Sequence, residues 1–337
     1  MKAEIFSSLV ALESPEEQRV DFHPQSFDEY CGQRELKIKL QLYTQAARMR
    51  NEPLDHLLLF GPPGLGKTTL AQIMASVMQV GIKICSGPTL ERAGDLVSIV
   101  SSLEPRDILF IDEIHRMPSS VEEMLYSAME HFRIDIVMGQ GAGARSVNLP
   151  LNPFTLVGAT TKAGMISAPL RSRFGITERL DFYPPEDLQE IVVQSAGYLG
   201  VVIEPVAAGL IAACARGTPR IAKGLLRRVR DFAQVNNNNQ ASLELTQQAL
   251  EFLGIDKQGL TEVDRKIIDT IIKHFGGGPV GLETIASMIG EESETIEDVY
   301  EPFLMRLGYL EKTPRGRQIP RSKLPQLQKA QGQKTIW

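Results

Sequence analysis

Eight consecutive residues, Gly61-Pro-Pro-Gly-Leu-Gly-Lys-Thr68, fit the spacing G-x-x-x-x-G-K-[ST]. The chemistry of that pattern is the holding of a polyphosphate. Its glycines let successive backbone N–H groups turn inward, and a helix that starts at the lysine adds the positive end of its dipole. Lys67 can reach the β- and γ-phosphates, and the Thr68 hydroxyl can ligate Mg²⁺. A second constellation is Ile108-Leu-Phe-Ile-Asp-Glu113. A carboxylate at the end of a buried strand beside such a loop can hold Mg²⁺ through water, a role open to Asp112. Glu113, one residue on, is placed to polarise a water for in-line attack on the γ-phosphate. Alone, an apolar strand ending in Asp-Glu is an ordinary structural feature; with the loop, the pair points to ATP hydrolysis.

Phosphoryl transfer needs further groups. Thr160 or Thr161, after the apolar run Phe154–Ala159, could orient the water, or simply cap the strand. Arg171 or Arg173, in Pro-Leu-Arg-Ser-Arg-Phe, could act as an arginine finger in trans. On the residues alone, surface ion pairs are the better account of them. Arg220 opens a cationic helix (Arg220, Lys223, Arg227, Arg228, Arg230), which is either a solvated face or a second route to phosphate.

These groups need a scaffold, and the surrounding pattern supplies one. Leu54–Phe60, Asp107–Ile111 and Phe154–Ala159 read as short buried strands, and a helical spacing of apolar residues runs from Lys67. Ser120-Val-Glu-Glu123 reads as a capping box opening a helix through Met129. Strands alternating with helices mean an α/β fold with a parallel sheet. Ile134–Leu151 differs: two β-prone arms around a glycine-rich centre predict a hairpin. Beyond Tyr183-Pro-Pro-Glu the pattern is helical to Leu253, with a loop tip at Asn236–Asn239. From Thr261, three short helices and a strand-turn-strand at Tyr309–Ile319 suggest a winged helix-turn-helix. The expected division is 1–183, 184–254 and 255–337.

The chain has 337 residues and a net charge of −5. Its 43% hydrophobic and 23% charged residues are ordinary for a globular chain and argue against a disordered one. No apolar stretch is long enough for a membrane helix, and the start lacks a signal-peptide pattern. Three scattered cysteines, without a CxxC pair, argue against a zinc cluster or a disulfide framework. The expectation is a soluble, cytoplasmic protein. From Phe303 onward eight cations face one anion, Glu311, so this end is +7 on a body of −12. A basic end on an acidic body points to nucleic acid, or else to a solvated tail.

GPPGLGKTTL at 61–70, ILFIDEIHRM at 108–117, VGATTKAG at 157–164, APLRSRFG at 168–175, RGTPRIAKGLLRRVRDFA at 216–233, GGGPVGLETIA at 276–286 and TPRGR at 313–317 together resemble the RuvB family. These are bacterial AAA+ motors of Holliday-junction branch migration. The resemblance implies an AAA+ P-loop ATPase core, a small helical lid and a C-terminal winged helix. It assigns ATP phosphates and Mg²⁺ to Gly64, Gly66, Lys67, Thr68 and Thr69. Asp112 and Glu113 become the Walker B pair, Thr161 (or Thr160) sensor 1, Arg173 the trans finger and Arg220 sensor 2. Tyr183, Phe22 and His23 would contact the adenine nucleoside, and Glu130, His131 and Phe132 would border a neighbour's nucleotide. Lys312, Arg315 and Arg317 would touch DNA phosphates, and hairpin 134–151 would dock onto RuvA. A homohexamer, with the resolvase RuvC in the larger complex, completes the implied assembly. One departure is Phe22-His23-Pro24, where the family has Leu-Arg-Pro: a neutral His cannot replace a fixed charge. The rival readings are a clamp-loader-like AAA+ ATPase, which needs no basic winged helix, and a sequence-specific regulator, which needs base-reading side chains.

Overall fold

The computed structural model describes residues 23–138, 145–236 and 239–327. Its contacts divide the chain into two compact units that meet between Glu190 and Ile191.

The first unit opens with α1 (Arg34–Arg50), β1 (Leu57–Phe60) and α2 (Lys67–Met78). There follow β2 (Ile82–Ser86), α3 (Ala93–Val100), β3 (Ile108–Asp112) and α4 (Ser119–His131). Next come β4 (Arg133–Met138), β5 (Arg145–Pro150), β6 (Thr155–Thr160), α5 (Ala168–Arg171) and β7 (Ile176–Arg179). Five strands form one parallel sheet in the order β2-β3-β6-β1-β7. The three apolar runs are its centre, and every residue of β6 is buried. Such strands read as continuous hydrophobic stretches because both faces are covered. Leu58, Leu109, Ile111 and Leu156 pack with Leu96, Val100, Val121 and Leu125 of α3 and α4. Alternation along a strand turns Leu57, Leu59 and Phe110 to the opposite face.

The capping box expected at Ser120 is not made. Pro118 is the N-cap, and its carbonyl accepts from the N–H groups of both Val121 and Glu122, so Ser120 lies inside the first turn. The hairpin is present: β4 and β5 pair antiparallel from Arg133↔Pro150 to Met138↔Arg145, and its glycine-rich tip lies outside the described residues.

Helix α6 (Pro185–Tyr198) contains the unit boundary. The second unit continues with β8 (Val202–Ile203), α7 (Pro205–Cys214), α8 (Pro219–Asn236), β9 (Gln240–Ala241) and α9 (Leu243–Phe252). Then come α10 (Glu262–Phe275), α11 (Leu282–Ile289), α12 (Ser293–Thr295), a π-helical turn (Ile296–Tyr300), α13 (Glu301–Arg306) and the hairpin β10 (Glu311–Thr313) and β11 (Gly316–Gln318). Buried charge ties the α7–α8 turn to α10. Arg216 (3% exposed) pairs with Asp264 (0%), donates to the Gly259 carbonyl at 3.1 and 3.2 Å, and covers the Phe303 ring at 4.5 Å. Asp264 Oδ2 also accepts from the Thr261 backbone N–H at 2.7 Å and from its hydroxyl at 2.6 Å, closing the N-terminal cap of α10.

Candidate functional site

The register of the parallel sheet brings the candidate chemistry to one edge. Phe60 lies beside Thr160, Ile111 beside Gly158 and Ser86 beside Asp112, so β1, β3 and β6 end together. The carboxyl edge of an open parallel sheet is where such folds hold ligands.

Between β1 and α2, the loop Gly61–Gly66 turns on positive-φ glycines. Gly66 is the position where this is obligatory: it caps α2 at φ 99°, and a Cβ there would lie 2.9 Å from the Tyr30 hydroxyl. Lys67, 7% exposed, donates from Nζ to the carbonyls of Gly61 and Pro62, each at 2.9 Å. Thr68 and Thr69 are half-buried in the first turn. Tyr183 sits behind this loop, donating its O–H to the Leu65 carbonyl at 3.1 Å, with the Tyr30 hydroxyl 2.6 Å away. Burial pushes both phenols well above their ordinary range, so both stay neutral donors. Tyr30 was not legible in the sequence, because nothing local marks an aromatic whose partner lies 153 residues on.

Asp112 ends β3 and accepts the Glu113 N–H at 2.9 Å. Glu113 itself is left-handed, at φ 49°, a strained conformation for a residue with a Cβ. Thr160 is buried, and its Oγ1 lies 2.9 Å from His115 Nδ1 while accepting the Lys162 N–H at 3.0 Å. The other ring nitrogen, Nε2, lies 3.5 Å from Glu113 Oε2. Desolvation lowers the His115 pKa, with Lys162 and Arg116 acting the same way against the raising effects of Glu113 and Asp112. A neutral ring thus links Thr160 to Glu113. His115 was missed in the sequence, although it stands two residues beyond the acidic pair. Thr161 is half-buried and makes no side-chain hydrogen bond among the described residues.

Arg173 is 3.2 Å from Glu130, donates to the Pro169 carbonyl at 2.7 Å and lies over the Tyr126 ring at 4.2 Å. His131 is exposed, whereas the Phe132 ring is turned inward, packed edge-on against Phe154 at 5.9 Å. His23 is half-buried and its carbonyl accepts from Gln25 Nε2 at 3.1 Å; Phe22 lies outside the described residues. In the second unit, Arg220 opens α8 and has no ion pair among the described residues.

The wing departs from a simple basic hairpin. Arg315 is exposed at its tip, but Lys312 and Arg317 are paired with Glu297 and Glu301. Val280 exchanges backbone hydrogen bonds with Arg317 at 2.7 and 2.8 Å, adding a third strand-like segment. Gly316 permits that approach: a Cβ there would lie 2.3 Å from the Val280 carbonyl. This contact joins the segments GGGPVG and TPRGR.

A five-stranded parallel sheet with a phosphate-binding loop, an Asp-Glu strand end and a C-terminal winged helix defines a P-loop ATPase of the AAA+ class that acts on DNA. Three family descriptions match in succession. The Holliday junction DNA helicase RuvB P-loop domain matches residues 22–180, the RuvB AAA lid domain 183–256 and the RuvB C-terminal winged helix domain 257–327. The chain belongs to the RuvB family, ATP-hydrolysing motors of Holliday-junction branch migration in recombination and repair. The RuvB Holliday junction branch migration motor of Thermotoga maritima is 49% identical with a TM-score of 0.80, over 91% of this chain and 98% of that one. A proline-to-glycine variant of Thermotoga maritima RuvB is also 49% identical, with a TM-score of 0.82 over 91% of this chain and 99% of that one. These likenesses favour the motor over the clamp-loader reading. No helix among the described residues is long and apolar enough to cross a membrane.

Proposed function

We propose that the chain works in the cytoplasm as a homohexameric ring that drives duplex arms through a RuvA-bound four-way junction, with RuvC joining the larger complex. Its working parts are the ATPase core (1–183), the lid (184–254) and the winged helix (255–337). The observation that carries the assignment of the ATP site is the convergence of the Gly61–Gly66 loop, Asp112, Glu113 and the Thr160–His115 link at one sheet edge.

ATP phosphates would take the backbone N–H groups around Gly64 and Gly66, and Lys67 would exchange two carbonyls for phosphate oxygens. Among the described residues no three His, Cys, Asp or Glu side chains form a metal cage. The hard oxygen donors Thr68 and Asp112 suit Mg²⁺ shared with phosphates, where it would neutralise charge on the transferring group. Glu113 takes a proton from water as the water oxygen bonds to the γ-phosphorus and the bridging β,γ-oxygen bond breaks. His115 holds the Glu113 carboxylate, and the Thr161 hydroxyl is left to orient the water. Arg173 and Glu130, both assigned to a neighbour's nucleotide together with His131 and Phe132, are 3.2 Å apart, so contacts in trans share one patch. Tyr183, Phe22 and His23 are assigned to the adenine nucleoside, Arg220 to sensing from the lid, and hairpin 134–151 to RuvA. Lys312, Arg315 and Arg317 grip DNA phosphates without reading sequence.

The test is ATP-dependent splitting of a synthetic four-way junction, with and without RuvA, beside Lys67→Ala. Splitting that needs ATP, Lys67 and RuvA is the expected result. ATP turnover without splitting under any condition would overturn the motor reading.

A further inference from the structure

Two carboxylates on the helix behind the wing hold two of its three cations. Glu297, in the π-helical turn, and Glu301, the first residue of α13, are four positions apart and share a face. Like charges at that spacing ordinarily destabilise a helix; here Lys312 and Arg317 offset the repulsion. Glu301 accepts from Arg317 through both oxygens, Nε at 2.6 Å and Nη2 at 3.2 Å, and lies 3.0 Å from Lys312 Nζ. Glu297 accepts from Lys312 Nζ at 2.8 Å and from Arg317 Nη2 at 3.4 Å. The two acids are unlike in setting: the Glu301 side chain is 1% exposed and the Glu297 side chain 46%. Arg317 is fixed a second time through its backbone pairing with Val280.

We infer that this acidic clasp sets how strongly the wing holds duplex DNA, with Glu301 positioning the Arg317 guanidinium and Glu297 serving as a built-in counter-ion that a backbone phosphate displaces. The inference rests on the reading of the wing as a DNA grip. A buried carboxylate bound through both oxygens keeps the Arg317 fork in one orientation and leaves Nη1 for phosphate. An exposed carboxylate on the same cations is an anion already in the phosphate's place, and exposed ion pairs are weak enough to exchange. With the clasp closed, two acids cancel two cations. Arg315, exposed and without an ion pair among the described residues, then carries the wing's long-range attraction. The ion pairs outweigh desolvation at Lys312 and raise its pKa, so its ammonium stays charged throughout.

The experiment measures binding of the full chain to a random-sequence duplex by fluorescence anisotropy over a salt series. Glu297→Gln is expected to bind about two- to fivefold tighter, the factor an exposed ion pair corresponds to. It should also steepen the logarithmic salt slope toward about one further phosphate neutralised. Glu301→Gln is expected to bind more weakly. Because that acid is buried, a second variant keeps the test independent of its folding: in a Lys312→Ala background the gain from Glu297→Gln shrinks. Unchanged or weaker binding by Glu297→Gln, while Arg315→Ala and Lys312→Ala each lose affinity, would overturn the clasp and leave the DNA-binding wing standing. If neither Arg315→Ala nor Lys312→Ala loses affinity, the wing is not the grip and both readings fall.

Discussion

Lys67 and Lys312 are both held by their own chain, in opposite ways. The Lys67 ammonium rests on two neutral carbonyls, each at 2.9 Å and almost out of water. Lys312 rests on two carboxylates and is 41% exposed. Carbonyl dipoles solvate a cation without cancelling it, so a phosphate arriving at Lys67 meets the whole charge in a medium of low dielectric. Carboxylates cancel the charge, so a phosphate arriving at Lys312 must compete. The first arrangement suits one ligand held hard in one place; the second suits a backbone that has to slide. Arg216 is a third case, paired with a carboxylate but fully enclosed, where charge serves neither ligand and fixes structure.

The largest expected effect tests the first member of the comparison. Lys67→Ala or Glu113→Gln should lower ATP turnover by about 10²–10⁴-fold with folding intact, from the worth of a placed base or charge donor. Unchanged turnover in either would break the site assignment. The enclosed pair comes next. Arg216→Ala strands Asp264 and should cost about 3–5 kcal/mol in denaturant unfolding, whereas replacing both partners by apolar residues of similar volume should recover most of it. An equally small loss from single and double replacements would place Arg216 with the exchangeable surface pairs. His115→Ala should reduce kcat by about tenfold with KM little changed, the equivalent of one hydrogen bond to a charged group, and His115→Asn should restore part of it. A change confined to KM would contradict the link to Glu113. The smallest effect is at the wing tip, where Arg315→Ala should weaken duplex binding a few-fold and reduce the salt slope by about one. A loss as large as that of Lys67→Ala would erase the contrast.

What the sequence made legible follows from range. The phosphate loop, the Asp-Glu strand end, the hairpin and the wing are local patterns, and local patterns survive in one dimension. The edge strands β2 and β7 did not stand out because they are only partly covered: Ile84 is 50% exposed, and Ile176–Arg179 alternates as Ile-Thr-Glu-Arg. Helix α1 does not stand out because charged residues interrupt its apolar positions and only Leu36, Leu40, Thr44 and Ala47 are buried. Tyr30 behind the loop and the Glu297–Glu301 clasp behind the wing are tertiary partners, separated from their targets by up to 153 residues. The one local misreading, the capping box at Ser120, fails because Pro118 supplies an earlier start with its own carbonyl.

The Arg216–Asp264 pair has a mechanical consequence. A hinge between the turn before α8 and the start of α10 would have to pull a guanidinium out of a closed socket of carboxylate, carbonyl and aromatic ring. Breaking a buried pair in that way leaves an uncompensated charge and costs about 3–5 kcal/mol. The turn before α8 and the start of α10 are thereby clasped at one buried point, and whatever pulls on one of these segments pulls on the other.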